Sequence, residues 1–209
     1  MKMTVTVALI AAVAFAVPSA HAVVYRGVEF PDGPVSFADE VVSFTPGSGV
    51  SGGYLDENRA LGIPDNSHCS LGDVPGAIVL RFVDNSLTTS GTPAEDLWVF
   101  EVGAAIEPTD VWVGLNATDW IYVGATGGST SGVDLDAYIG SGIVAGVRYS
   151  YVRLAELRPL QSGSPYAGAD IDAVGAISSA APVPDAAATV SLVGLALMAL
   201  AGLRRRISA

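Results

Sequence analysis

Between residues 23 and 182 the apolar positions fall in short runs separated by Gly, Pro, Asn, Asp and Ser. No segment there sustains an apolar period of 3.6 residues, so little helix is expected. The runs predict strands at Val41–Phe44, Ala77–Phe82, Leu97–Val102, Asp110–Leu115, Trp120–Val123, Val133–Asp136, Tyr149–Leu154 and Ile171–Ile177. Asp110 to Gly124 reads as a hairpin, with Asn116-Ala117-Thr118-Asp119 as its turn. Short strands with this punctuation predict an all-β fold, an antiparallel jelly-roll β-sandwich.

The pattern changes at both ends. Met1 to Ala22 has a basic n-region at Lys2, an apolar h-region from Val5 to Val17, and the small-x-small site Ala20-His21-Ala22. This is a secretory signal peptide with cleavage expected after Ala22. At the other end, Val183-Pro184-Asp185 precedes an apolar run from Ala186 to Leu203, and Arg204-Arg205-Arg206 follows it. Eighteen residues rise about 27 Å as a helix, just enough to cross a hydrocarbon core. The arginine triplet acts as a membrane stop on the cytoplasmic side. A buried core helix would not end at once in three arginines. The expected organisation is a signal peptide (1–22), a sandwich (23–177), a Ser/Ala/Pro linker (178–182) and a C-terminal signal (183–209).

Charge narrows the function. Residues 23–185 hold all 21 acidic residues against six arginines and no lysine, a net charge of −15. Phosphate contacts need a basic footprint, so nucleic-acid binding is excluded as an expectation. Cys69 is the single cysteine, so no intramolecular disulfide forms, and a small buried residue is the expected role.

Candidate chemistry is sparse. Alternation puts Asp96 on the face of Trp98 and Phe100, and Glu101 on the face of Leu97 and Val99. Asp170 and Asp172 share a face of the last strand. Some of Asp96, Glu101, Asp170 and Asp172 are therefore expected to supply oxygen ligands to one structural Ca²⁺; solvated strand-edge charges are the simpler alternative. The same carboxylates make a glycoside hydrolase conceivable, but no P-loop, dinucleotide fingerprint or zinc spacing supports catalysis. Trp98, Trp112, Trp120, Tyr122, Tyr149 and Tyr151 are expected mostly in the core. Exposed, they would stack sugars, which keeps a carbohydrate-binding module as the alternative function.

Two resemblances extend this reading. Val183-Pro184-Asp185, the apolar run and the arginine cluster resemble the PEP-CTERM sorting signal of Gram-negative bacteria, in its Val-Pro-Asp variant. The resemblance implies signal peptidase and an exosortase as processing partners. It also implies transient anchoring in the inner membrane and delivery to the cell surface or exopolysaccharide matrix. Within the body, the 110–124 hairpin and the Val147-Arg-Tyr-Ser-Tyr-Val-Arg-Leu154 strand resemble galactose-binding-like jelly rolls typified by discoidin domains. Ala60-Leu61-Gly62, Pro64-Asp65, Ser70-Leu71-Gly72, Asp96-Leu-Trp-Val-Phe-Glu101 and Asp170-Ile-Asp-Ala-Val174 are similar to PEP-CTERM-bearing surface proteins of that general fold. Together these imply a non-enzymatic exported protein with no catalytic residues.

Overall fold

The computed structural model describes residues 22–103, 107–159, 163–177 and 179–180. The expected signal peptide up to His21, the sorting motif and the expected membrane run lie outside them. Thirteen strands follow in chain order. They are β1 (Val23–Tyr25), β2 (Val28–Phe30), β3 (Glu40–Thr45), β4 (Cys69–Ser70), β5 (Ala77–Arg81), β6 (Ser86–Leu87) and β7 (Leu97–Glu101). Then come β8 (Thr109–Gly114), β9 (Ile121–Ala125), β10 (Thr130–Val133), β11 (Tyr151–Glu156), β12 (Asp170–Ala176) and β13 (Ser179–Ala180). Among the described residues the remaining regular elements are single 3-10 turns, and no helix is long and apolar enough to cross a membrane.

Two larger antiparallel sheets form, one ordered β10-β7-β12-β4 and the other β3-β5-β11-β8-β9. Their facing sides share one core. The five-stranded sheet contributes Ile78, Leu80, Val111, Val113, Val123, Val152 and Leu154, and the four-stranded sheet answers with Leu97, Val99, Val133, Ile171 and Val174. Alternation explains this directly. On β11, Val152 and Leu154 are buried while Tyr151 and Arg153 point away, and on β8, Trp112 points away between Val111 and Val113.

The four-stranded sheet differs in having its other face covered too. The β1–β2 hairpin and the 3-10 turn Gly33–Ser36 bring Val28, Phe30 and Phe37 over Phe100 and Ala173, with Tyr25 and Trp98 at the margin. Phe30 and Phe37 lie 4.7 Å apart between ring centroids, and each is 5.9 Å from Phe100. Burying each of these rings stabilises the fold by roughly 1.5–3 kcal/mol. The consequence is that every residue of β12 is buried.

All eight predicted strands have a counterpart, and one is displaced. The expected strand Val133–Asp136 is replaced by β10, and Asp136–Tyr138 turns as a 3-10 element. The reason is turn chemistry: the Asp136 amide donates to Asp134 Oδ1 at 2.8 Å, and Asp136 Oδ2 accepts from the Ser90 and Gly91 amides at 3.0 Å. The β1–β2 hairpin was not expected. Its strands are only three residues long, too short for periodicity to register, and its turn uses Arg26 (φ 46°) and Gly27 (φ 85°). Ser179 and Ala180, within the expected linker, pair with β6.

Gly175 on β12 lets the hairpin approach the sheet. A Cβ there would lie 2.6 Å from Phe30 Cε1 and 2.9 Å from Phe37 Cε1. Gly175→Ala is therefore expected to destabilise the fold by about 1–3 kcal/mol through overpacking, read as a lower urea midpoint.

Candidate functional site

The four carboxylates, some of which were expected to hold one ion, sit in three places. Asp96 precedes β7, and its Oδ2 accepts the Leu135 amide at 2.9 Å. Glu101 ends the same strand. Asp170 begins β12 beside it: the Val102 amide donates to the Asp170 carbonyl at 2.9 Å, and a Cβ at Gly103 would lie 3.7 Å from both Asp170 Oδ2 and Glu101 Oε1. Asp172 is separately engaged by Arg26 at 2.7 Å and by the amides of Asp65 and Asn66 at 3.1 and 3.2 Å. A bulge between Ile171 and Ala173 shifts the register at this point.

Asp96 instead approaches Asp134 and Asp136. One oxygen from each of the three lies within 4.8 Å of the others. The donors are of the hard oxygen kind that Ca²⁺ takes. Each carboxylate also accepts a backbone amide from the loops around it. Asp134 and Asp136 were missed in the sequence; the Asp134-Leu-Asp136 spacing next to a short strand was the available signal.

Burial governs the electrostatics at the other end of β7. It pushes the Glu101 carboxyl up to about 7; the Ser129 amide works against this, while Glu107 and Asp170 add to it. Burial likewise pushes Asp170 up to about 6 against the hydrogen bond from Ser70. Asp172 is also raised, because burial outweighs its two amides and Arg26. Next to this group His68 stacks on Tyr54 at 5.2 Å with Nε2 3.5 Å from Asp170 Oδ2, and burial lowers its pKa. Cys69 is fully buried, as expected, and burial is the main cause pushing its thiol up to about 12. A thiol held protonated is a poor nucleophile and a poor metal ligand.

The aromatic residues divide differently from expectation. Tyr149 lies in the shared core and Trp98 at the margin of the second one. Trp112, Tyr122 and Tyr151 instead stand on the outward face of the five-stranded sheet, since their neighbours along each strand are the ones turned inward. Register places Val79, Arg153, Trp112 and Tyr122 in one row across β5, β11, β8 and β9. The Arg153 guanidinium carbon sits 4.4 Å from the Trp112 ring centroid, and the Trp112 and Tyr122 rings are 5.4 Å apart. Tyr122 donates its hydroxyl to Asp110 at 2.9 Å. In the next row Arg81 lies over Tyr151 at 5.6 Å and pairs with Glu40 at 3.2 Å. Trp120 folds back over Gly114, whose Cβ would lie 3.3 Å from the indole. A hollow of about 440 Å³ opens beside it, lined by Leu115, Asn116, Thr118, Asp119 and Trp120. Alternation of Tyr149, Tyr151 and Arg153 with Ser150, Val152 and Leu154 was the legible signal for part of this face.

These features define an all-β protein built from two antiparallel sheets, followed directly by a C-terminal signal segment. Residues 182–207 match the VPDSG-CTERM motif, a sorting signal of the PEP-CTERM kind. Val183, Pro184 and Asp185 supply its first three letters, and Ala186-Ala187 stands where the name has Ser-Gly. The match supports an exported, surface-associated protein processed by an exosortase. No curated protein matches the chain.

The raised carboxyls fix a pH dependence. A group whose folded pKa exceeds its unfolded value loses stabilising power as pH rises through the interval between the two. For Glu101 that interval runs from 4.5 to about 7, and for Asp170 from 3.8 to about 6. His68, lowered from 6.5, acts oppositely as pH falls below that value. Glu101→Gln removes one of these contributions: its stability relative to wild type is expected to rise from pH 5 and to level off above about pH 7 in urea titrations.

Proposed function

We propose that this chain is an exported, non-enzymatic protein of the bacterial cell surface or exopolysaccharide matrix. In this reading signal peptidase removes residues 1–22 of the precursor in a Gram-negative cell. The run Ala186–Leu203 then holds the chain in the inner membrane with Arg204, Arg205 and Arg206 on the cytoplasmic side. An exosortase acts at Val183-Pro184-Asp185, and a jelly-roll sandwich of the galactose-binding-like kind is the mature product. The motif match across residues 182–207 is the observation that carries the proposal.

The limits of the folded body support it. β1 begins at Val23, the residue after the expected signal cleavage, and β13 ends at Ala180, just ahead of the matched segment. Cutting at the motif leaves every described strand in the mature chain. The carboxylates support the non-enzymatic part. Glu101, Asp170 and Asp172 are buried and tied to backbone amides or to Ser70 and Arg26, which suits structural groups better than an acid and nucleophile pair facing a substrate.

Processing is tested by expressing the full chain in a host that carries an exosortase of this class and in the same host lacking it. Mass spectrometry of the exported product should give an N-terminus at Val23 and a C-terminus within or just after the motif. Replacing Val183, Pro184 and Asp185 by alanine should leave the chain in the membrane fraction with its arginine tail. An exported product that retains Arg204–Arg206 in the exosortase host contradicts the proposal.

A further inference from the structure

The outward face of the five-stranded sheet carries chemistry that neither the fold nor the sorting signal uses. We propose that it is a binding site for a carboxylate-bearing polysaccharide, a chain of uronic-acid residues. The centre of the site is the row Arg153, Trp112 and Tyr122, with Arg81 and Tyr151 in the row beside it.

The charge of Arg153 is the first argument. In residues 23–185, acids outnumber arginines by more than three to one, and Arg26, Arg59 and Arg81 each have a carboxylate partner. Arg153 has none among the described residues. Its guanidinium rests on the Trp112 ring at 4.4 Å, an arrangement that fixes its plane while leaving N–H donors directed away from the ring. A guanidinium presents a fork of parallel donors that matches a carboxylate with two hydrogen bonds. An unpaired, pre-oriented arginine in so acidic a body is complementary to an anionic group brought by the ligand.

The rings supply the second argument. Trp112 and Tyr122 are neighbours across β8 and β9, Tyr122 is 47% exposed, and the two rings continue the row on one side of the arginine, on a surface without helical cover among the described residues. Rings of this kind pack against the apolar C–H faces of a sugar, an amphipathic contact at low entropy cost. The second Arg–Tyr pair repeats the same combination. Arg81 and Arg153 are diagonal neighbours across β5 and β11, since Arg153 pairs with Val79 and Arg81 lies two residues on. Such neighbours stand roughly 7–8 Å apart at the backbone. The Arg81–Glu40 pair is exposed on both sides, and exposed pairs contribute little, about 0–1 kcal/mol, so a ligand carboxylate can replace Glu40.

A repeating polymer fits this face better than other polyanions. Nucleic acid needs many phosphates neutralised along its length, and this face offers two arginines, Arg81 and Arg153, in a body of net charge −15. A uronate chain joins one carboxylate per sugar to an apolar ring face, the same pairing the two rows present. The contact is made by the sandwich and does not depend on processing of the tail.

Affinity electrophoresis of the full-length protein in gels containing polygalacturonate, its highly methyl-esterified form or neutral dextran tests the proposal. Retardation is expected with the free acid, at least tenfold weaker with the methyl ester, and absent with dextran. Arg153→Ala and Trp112→Ala should each weaken binding to the free acid at least tenfold, and Arg153→Lys several-fold, with melting curves recorded for every variant. Equal retardation by free acid and methyl ester overturns the carboxylate assignment without a variant being made. No retardation of the wild type, or unchanged binding by a folded Arg153→Ala, overturns the site.

Discussion

β12 passes through the four-stranded sheet with every residue buried, yet two of its seven residues are aspartates. An unpaired carboxylate in such a position costs several kcal/mol, so each must meet donors supplied by the rest of the chain. Asp172 meets three: the amides of Asp65 and Asn66 and the guanidinium of Arg26. Arg26 also holds Asn66 through its side-chain carbonyl at 2.7 Å. One buried charge thereby joins the N-terminal hairpin, the loop before β4 and the central strand. The hairpin turn places Arg26 at positive φ, a conformation that costs an ordinary residue roughly 1–2 kcal/mol, and the contact with Asp172 offsets that cost.

The two sheets differ in role because of this arrangement. The hairpin drawn down by Arg26 seals the outer face of the four-stranded sheet with Tyr25, Phe30 and Phe37. Its carboxylates then become internal structural groups with raised pKa values. The five-stranded sheet has no such cover among the described residues, and its outward residues include the rings of Trp112, Tyr122 and Tyr151 with Arg81 and Arg153. The buried carboxylates lie on the closed sheet, and the ring–arginine pairs lie on the open one. Since β1 starts at Val23, the cover is made from the first residues left after the expected signal cleavage.

The strands were legible wherever alternation or a continuous apolar run extended over four or more residues, as in β5, β8 and β11. The β1–β2 hairpin escaped because three residues carry too little period and its Arg-Gly turn is not a common hairpin signal. The carboxylates were found as residues, but which of them come together was not legible. Spacing along β7 puts Asp96 and Glu101 on opposite faces and at opposite ends, and nothing local could show that Asp134 and Asp136 come to one end and Asp170 to the other. The aromatics of the open face were expected inside because size argues for burial. What places Trp112, Tyr122 and Tyr151 outward is the identity of their neighbours, Val111, Val113, Val123 and Val152, which fill the core first. The tail needed no fold to be read, since its order of motif, apolar run and arginines lies within one continuous segment.

The link between Arg26 and Asp172 is tested most directly by a double-mutant cycle in urea denaturation, using Arg26→Ala, Asp172→Asn and the double variant. Arg26→Ala alone should cost about 3–5 kcal/mol, because it leaves a buried carboxylate without its counter-charge. The double variant should be markedly more stable than the sum of the two changes implies, with a coupling of about 2 kcal/mol or more. Additivity within about 0.5 kcal/mol would contradict the account, since the hairpin would then be held by its aromatic contacts alone.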